Sequence, residues 1–367
     1  MKKVYFANLD GLRFIAFFAI FLHHGIFATS DVVATSDLMH VIEQVKKPAG
    51  MGVPFFFCLS GFLITYLLIL EKNGKGKIFI GKFYLRRILR IWPLYYVVVL
   101  FGFLVFPYVR SLLGMESYVE TGTFWKYMVF ASNFDQLQNG LPIGAGLGVT
   151  WSLSVEEQFY LAWPVILALF KTKHYGIVTL IICLSSNIAM YGFGLSYNHT
   201  FGAMSDLALG GFVASLAANG VGIHNQAVNL RKWIIALIYP VGIFVVYLMS
   251  FGYQLRPLVS LFMVFVIWEQ CFAKNSVIKM GRFKRISYWG TLTYGFYLLH
   301  TICNFVISNV LLKLQLNMKM PFMSDLVVQP ILSLILTFIL GYISYRFFEK
   351  PFLNLKHKLS VVNTKRD

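Results

Sequence analysis

Charge is scarce in this sequence. Only 13% of its residues are Asp, Glu, Lys or Arg, against about 25% in soluble domains, while 58% are hydrophobic and the mean hydropathy is +0.68. A soluble fold of 367 residues could not hide that much apolar surface, so lipid must be its solvent. Cysteine is sparse too. Cys58, Cys183, Cys271 and Cys303 each sit in an apolar run with no Cys-x-x-Cys or Cys/His spacing, so small buried hydrophobes are favoured over metal ligands or disulfides. No Walker loop, Gly-x-Gly-x-x-Gly turn, His-Glu-x-x-His or Gly-x-Ser-x-Gly element occurs, and nucleotide hydrolysis, zinc proteolysis and elbow-type serine hydrolysis lose support. There is no fixed-period repeat, low-complexity block or Pro/Gly/Ser linker leading to a second domain. A cleavable targeting sequence is not expected, because the first apolar run carries Arg13, His23 and His24 and lacks a small-residue cleavage site.

What recurs instead are apolar runs near the roughly 20 residues that cross a 30 Å hydrocarbon core. Ten are visible, at 11–28, 51–70, 91–109, 151–170, 176–194, 203–218, 233–251, 257–273, 288–312 and 327–345. Their lack of strand-like alternation predicts helices, and hence an all-α integral membrane protein, a bundle of about ten transmembrane helices over residues 1–350 with a short basic tail at 351–367. Two loops between runs are rich in Lys and Arg, residues 72–90 and 274–285, and should be cytoplasmic. With the N- and C-termini also inside, 24 of the 32 basic residues fall on the inner side, Arg13 lies within the first run, and only Lys46, Lys47, Arg110, Lys126, Arg256, Lys313 and Lys319 fall outside. If Phe124–Phe134 crossed alone it would invert everything after it, so it is read as non-spanning or re-entrant. The formal net charge of +17 then reflects positive-inside topology and contact with anionic lipid, not nucleic acid.

Ionisable groups inside a span cost a few kcal/mol or more and are functional candidates by default. In the first run Arg13 and His24 are eleven residues apart, three turns plus about 20°, so they share a face some 16 Å apart along the axis. His23 points away from it. His24 is either a catalytic base or a hydrogen-bond partner for a neighbouring helix. In the fourth run Ser152, Glu156 and Tyr160 fall at i, i+4 and i+8 on one face, with Glu157 turned about 100° away. Glu156 is placed at a depth comparable with His24, where a carboxylate could raise the basicity of a histidine and fix its tautomer; a structural network at the helix start is the equal alternative. The ninth run gathers Thr293, Tyr297, His300 and Asn304 in one stripe, and Asp206 lies near the outer end of the sixth. For His300 and Asp206 a structural part weighs slightly more.

The inner loop before the third run has another character. Arg86, Arg87 and Arg90 crowd a helix start; positive-inside bias explains loose lysines well, but three arginines in five residues suggest forked donors for phosphates. Coenzyme A is a cytoplasmic ligand rich in phosphate.

In order along the chain, the sequence resembles the acyltransferase-3 membrane acyltransferases: Leu9-Asp-Gly-Leu-Arg13 leading to His24, Phe56-Phe-Cys-Leu-Ser-Gly-Phe-Leu-Ile64, Arg86-Arg87-x-x-Arg90-Ile91-x-Pro93, Trp151-Ser-Leu-Ser-Val-Glu156-x-Gln-Phe-Tyr160, Tyr294-Gly-Phe-Tyr-Leu-Leu-His300 and Glu349-Lys-Pro351. Each block is weak alone; six in order are specific. The resemblance implies a ten-helix domain in which acyl-CoA binds from the cytoplasm as co-substrate, held by Arg87 and Arg90 with Arg86 beside them. It implies catalysis by His24, with Glu156 and Arg13 in support. Tyr160, Asp206 and His300 are candidates for substrate binding, and no metal or permanently bound cofactor is expected. Pro54 stands where some members carry an Asp before the Phe-Phe pair, which leaves that acid without a counterpart. A fused extracytoplasmic esterase-like domain is not expected, so transfer goes directly to the acceptor or through a separate chain.

The expected activity is O-acyl transfer, with acetyl as the group, from acyl-CoA to a hydroxyl of a carbohydrate or glycolipid acceptor outside the membrane. The expected location is the bacterial cytoplasmic (inner) membrane, as a multi-pass protein; a homo-oligomer is left open. Direct transfer and an acyl-histidine intermediate both fit these residues. The rival is a transporter or flippase without chemistry, since membrane His, Glu and Asp also mark substrate pathways. Its usual cue, a pair of Gly/Pro-broken spans in matching halves, is missing.

Overall fold

In the computed structural model, residues 5–116, 118–220, 222–249, 251 and 254–359 are described, and among them there is helix but no strand. Each of the ten apolar runs contains one main helix: α1 Ala7–Gly25, α2 Gly52–Lys75, α3 Ile80–Leu100, α4 Thr150–Leu169, α5 Tyr175–Phe193, α6 Thr200–Ala218, α7 Lys232–Met249, α8 Arg256–Phe272, α9 Thr293–Lys313 and α10 Gln329–Ile343. Among the described residues seven helices, those containing α2, α3, α5, α6, α7, α9 and α10, are long and apolar enough to cross a membrane. The other three fall short for visible reasons. Asp10, Arg13, His23 and His24 interrupt α1, Glu156 and Glu157 interrupt α4, and α8 has 17 residues.

No helix in the segment around Phe124–Phe134 is long enough to cross a membrane. The segment breaks into Phe124–Met128 and Ser132–Asn139, of 5 and 8 residues, each far shorter than the roughly 30 Å of a hydrocarbon core at 1.5 Å per residue. The break falls at Phe130, whose φ is 55°. This segment is packed against α4: Gln158 donates to the Phe130 carbonyl (2.7 Å) and to Asn133 Oδ1 (3.0 Å), and Ser154 meets Ser132 at 2.7 Å.

Close backbone contact fixes the bundle where small residues allow it. A Cβ on Gly61 would lie 1.8 Å from the Leu207 carbonyl oxygen, and one on Gly210 would lie 2.1 Å from that of Cys58. Helices α2 and α6 therefore meet backbone to backbone, the mode that small residues permit where lipid removes the hydrophobic drive for association. The start of α1 is pinned differently: Asn8 donates to the Gln270 carbonyl (2.7 Å) and accepts from Gly281 N–H (2.7 Å).

Residues 351–359 were expected to belong to a tail. They follow a wide π-helical turn, Ser344–Glu349, and lie mostly in the helix α11, Lys350–Lys358, which packs against α3. Residues 360–367 of the expected tail lie outside the described residues.

Candidate active site

Between α1, α2, α3, α4, α9 and α11 lies a cavity of about 820 Å³. The helical repeat delivers its walls. Ser152, Glu156 and Tyr160 line it from α4 as their i, i+4, i+8 spacing requires, while Glu157 faces elsewhere and accepts from Trp92 Nε1 (3.1 Å). Tyr160 is hydrogen bonded to Ser60 of α2. Phe56, Phe57, Leu59, Leu63 and Ile64 of α2 give the cavity an apolar side, so it joins an apolar wall to a charged one.

The charged wall holds Arg13, Arg86, Arg87, Arg90 and Lys356. These cations differ in what they already hold. Arg13 is paired with Asp10, which also accepts from Tyr5 (2.5 Å). Arg86 is paired with Glu71 (3.4 Å) and donates to the Leu359 carbonyl (3.2 Å). Arg87 and Arg90 form no ion pair or hydrogen bond among the described residues; Arg87 stacks over the rings of Phe83 (5.5 Å) and Tyr160 (5.4 Å), and its buried Nε has no partner. Cations drawn partly out of water without partners are costly, and forked donors turned into a cavity are suited to an anionic ligand.

His24 is not on that cavity wall. Its ring nitrogen Nδ1 lies 2.9 Å from His300 Nε2, with the two rings nearly parallel at a centroid distance of 5.2 Å. His300, fully buried, places its own Nδ1 2.6 Å from the Tyr297 carbonyl. A carbonyl only accepts, so His300 Nδ1 carries a proton and, in the neutral ring, its Nε2 is an acceptor. His24 must then donate from Nδ1, which leaves His24 Nε2 with a free lone pair. The partner expected from depth was Glu156; the partner present is His300, whose stripe on α9 brings the two together. Tyr297 joins the two parts of the site: it lines the cavity, bonds Ser152 (2.7 Å), and its ring lies 5.8 Å from that of His300. Asn304, next in the stripe, donates to the His24 carbonyl (3.2 Å). His23 turns away, to the Lys46 carbonyl (3.3 Å).

Asp206 stands apart. Its carboxylate, fully buried, binds Arg256 (2.9 Å), Tyr197 (2.7 Å) and Ser260, and it lies outside the cavity wall. Two participants were not singled out from the sequence. In the sequence Tyr297 is one member of a stripe and Lys356 one charge of a basic tail; the spacing of Leu353 and Lys356, both on the cavity wall, is the available signal.

An apolar helical bundle enclosing a cavity lined by several cations defines an integral membrane protein with an internal charged cavity. The acyltransferase domain family Acyl_transf_3 matches residues 6–346, and the chain belongs to that family. The peptidoglycan O-acetyltransferase OatA of Listeria monocytogenes is 31% identical over 176 residues, covering 46% of this chain and 25% of that protein. A putative O-acetyltransferase of Staphylococcus aureus strain COL is 25% identical over 381 residues, covering 96% of this chain and 58% of that protein. The O-acetyltransferase OatA of S. aureus strain NCTC 8325 is 31% identical over 172 residues, or 44% of this chain and 25% of that protein. The chain thus spans between a quarter and somewhat over half the length of these relatives. No solved structure matches it.

Proposed function

We propose that the chain is an O-acetyltransferase that moves an acetyl group from cytoplasmic acetyl-CoA to a hydroxyl of a carbohydrate or glycolipid on the far side of a bacterial cytoplasmic membrane. The observation that carries this reading is the cavity in which Arg87 and Arg90 lack partners, next to a histidine pair that leaves one lone pair free. Ten spans with both termini inside are part of the proposal, since this topology puts the arginines at the cytoplasmic mouth and His24 in the outer half.

In the mechanism, Arg87 and Arg90 hold the phosphates while the pantetheine arm runs along the apolar α2 wall toward Tyr297 and Phe56. His24 Nε2 takes the proton of the acceptor hydroxyl, the oxygen attacks the thioester carbonyl, the C–O bond forms and the C–S bond breaks. The proton on His24 passes to the departing thiolate, so the products are the ester and free coenzyme A. His300 keeps His24 in the required tautomer and shares the positive charge that develops on it. Arg13 and Glu156 support this from the cavity wall. The test is purified protein incubated with radiolabelled acetyl-CoA and a glycan acceptor: thioester consumption with label in the acceptor supports the enzyme, and an intact thioester with vesicular uptake of label would favour the transporter instead.

A further inference from the structure

The cation that no sequence motif announces is Lys356. It reaches the cavity from α11, the helix that follows α10, together with Leu353 one turn earlier. It shares the cavity wall with Arg13, Arg86, Arg87 and Arg90. No carboxylate pairs with it among the described residues, because Glu71 is committed to Arg86 and the Phe79 N–H (2.7 Å) and Asp10 to Arg13 and Tyr5. Glu349, at the end of the π-helical turn before α11, accepts from Ser344 (3.0 Å). A lysine set on one wall with four arginines meets repulsion from them, which an anion in the cavity would offset.

The location of α11 is itself held by the charged wall. Arg86 donates to the Leu359 carbonyl at the end of this helix (3.2 Å), so the helix is tied to the same arginine segment that faces the cavity.

We propose that α11 is part of the donor site: Lys356 binds a phosphate of the acyl-CoA, completing with Arg87 and Arg90 a three-cation cradle, and the helix forms the lip of the cytoplasmic mouth. This rests on the reading of the cavity as the acyl-CoA site. A compact ammonium on a flexible stem acts there as a point charge, complementing the forked arginines.

The test uses the full chain in detergent and measures coenzyme A affinity at low and high salt for the parent, Lys356→Gln, Lys356→Arg and Arg87→Ala. The expected result is that Lys356→Gln binds about tenfold more weakly at low salt, with a shallower salt dependence because one charge contact is gone, and that Lys356→Arg recovers most of the affinity. A purely structural part for Lys356 would weaken binding without changing the salt dependence, and would overturn the proposal. So would parental affinity in Lys356→Gln while Arg87→Ala is impaired, which leaves the donor site intact but without α11. If neither Lys356→Gln nor Arg87→Ala changes coenzyme A binding, the cavity is not the donor site and both readings fall.

Discussion

Replacing His300 with Gln or with Phe separates a positioning role from a packing role. His300 passes one hydrogen bond to the Tyr297 carbonyl (2.6 Å) and receives one from His24 (2.9 Å). Phenylalanine keeps the ring volume but leaves the His24 Nδ1–H without an acceptor, and an unsatisfied buried donor costs about 1–3 kcal/mol. That penalty weighs on the tautomer with a free Nε2, so its loss should slow transfer by roughly ten- to a hundredfold. The amide oxygen of glutamine falls near the position of the imidazole Nε2 and can accept from His24, so His300→Gln should retain more activity than His300→Phe. The assay is the rate of acetyl transfer at equal amounts of folded protein, with coenzyme A affinity measured alongside. Affinity should be unchanged, since His300 is not on the cavity wall. A His300→Phe protein with parental turnover would refute the relay, and equal losses in both variants would reduce His300 to a packing residue.

Three further outcomes follow from the same geometry. Arg87→Ala or Arg90→Ala should weaken acyl-CoA binding at least several-fold, with Lys rescuing only partly because the forked donor is lost; isothermal titration in detergent reads this directly. Asp206→Asn should lower thermal stability, because it strips the buried Arg256 of its counter-charge, a change that costs about 3–5 kcal/mol in soluble proteins, yet transfer per folded molecule should persist; a selective loss of activity would return Asp206 to the substrate site. Reporters fused after Asp367 and near Lys75 should both register cytoplasm, and a C-terminal reporter found outside would mean an odd number of spans.

The helices were legible because lipid imposes one rule on every span, and each apolar run contains a helix. The helical period was equally informative within a single element: it put Ser152, Glu156 and Tyr160 on one wall and turned Glu157 and His23 away. What it could not supply was partners. A period gives the face of a helix, whereas the pairing of His24 with His300 joins residues 276 positions apart and depends on how α1 packs on α9. Asp206 illustrates the same limit from the other side: it is expensive in a span on its own, but Arg256, Tyr197 and Ser260 make it a closed cluster. Lys356 was obscured because positive charge beside an inner helix end already has an explanation in topology, and only the return of α11 toward α3 gives it a cavity to face.

The central claim, that His24 is the base of an acyl transfer, is tested most directly by comparing His24→Ala with His23→Ala. The two side chains are adjacent in sequence, but His24 is bonded to His300 and His23 to the Lys46 carbonyl. With both variants folded, labelled acetyl-CoA in excess and acceptor present, His24→Ala should lose roughly two to four orders of magnitude in turnover and retain coenzyme A binding, while His23→Ala stays close to the parent. Acetyl transfer by His24→Ala at near the parental rate would contradict the account.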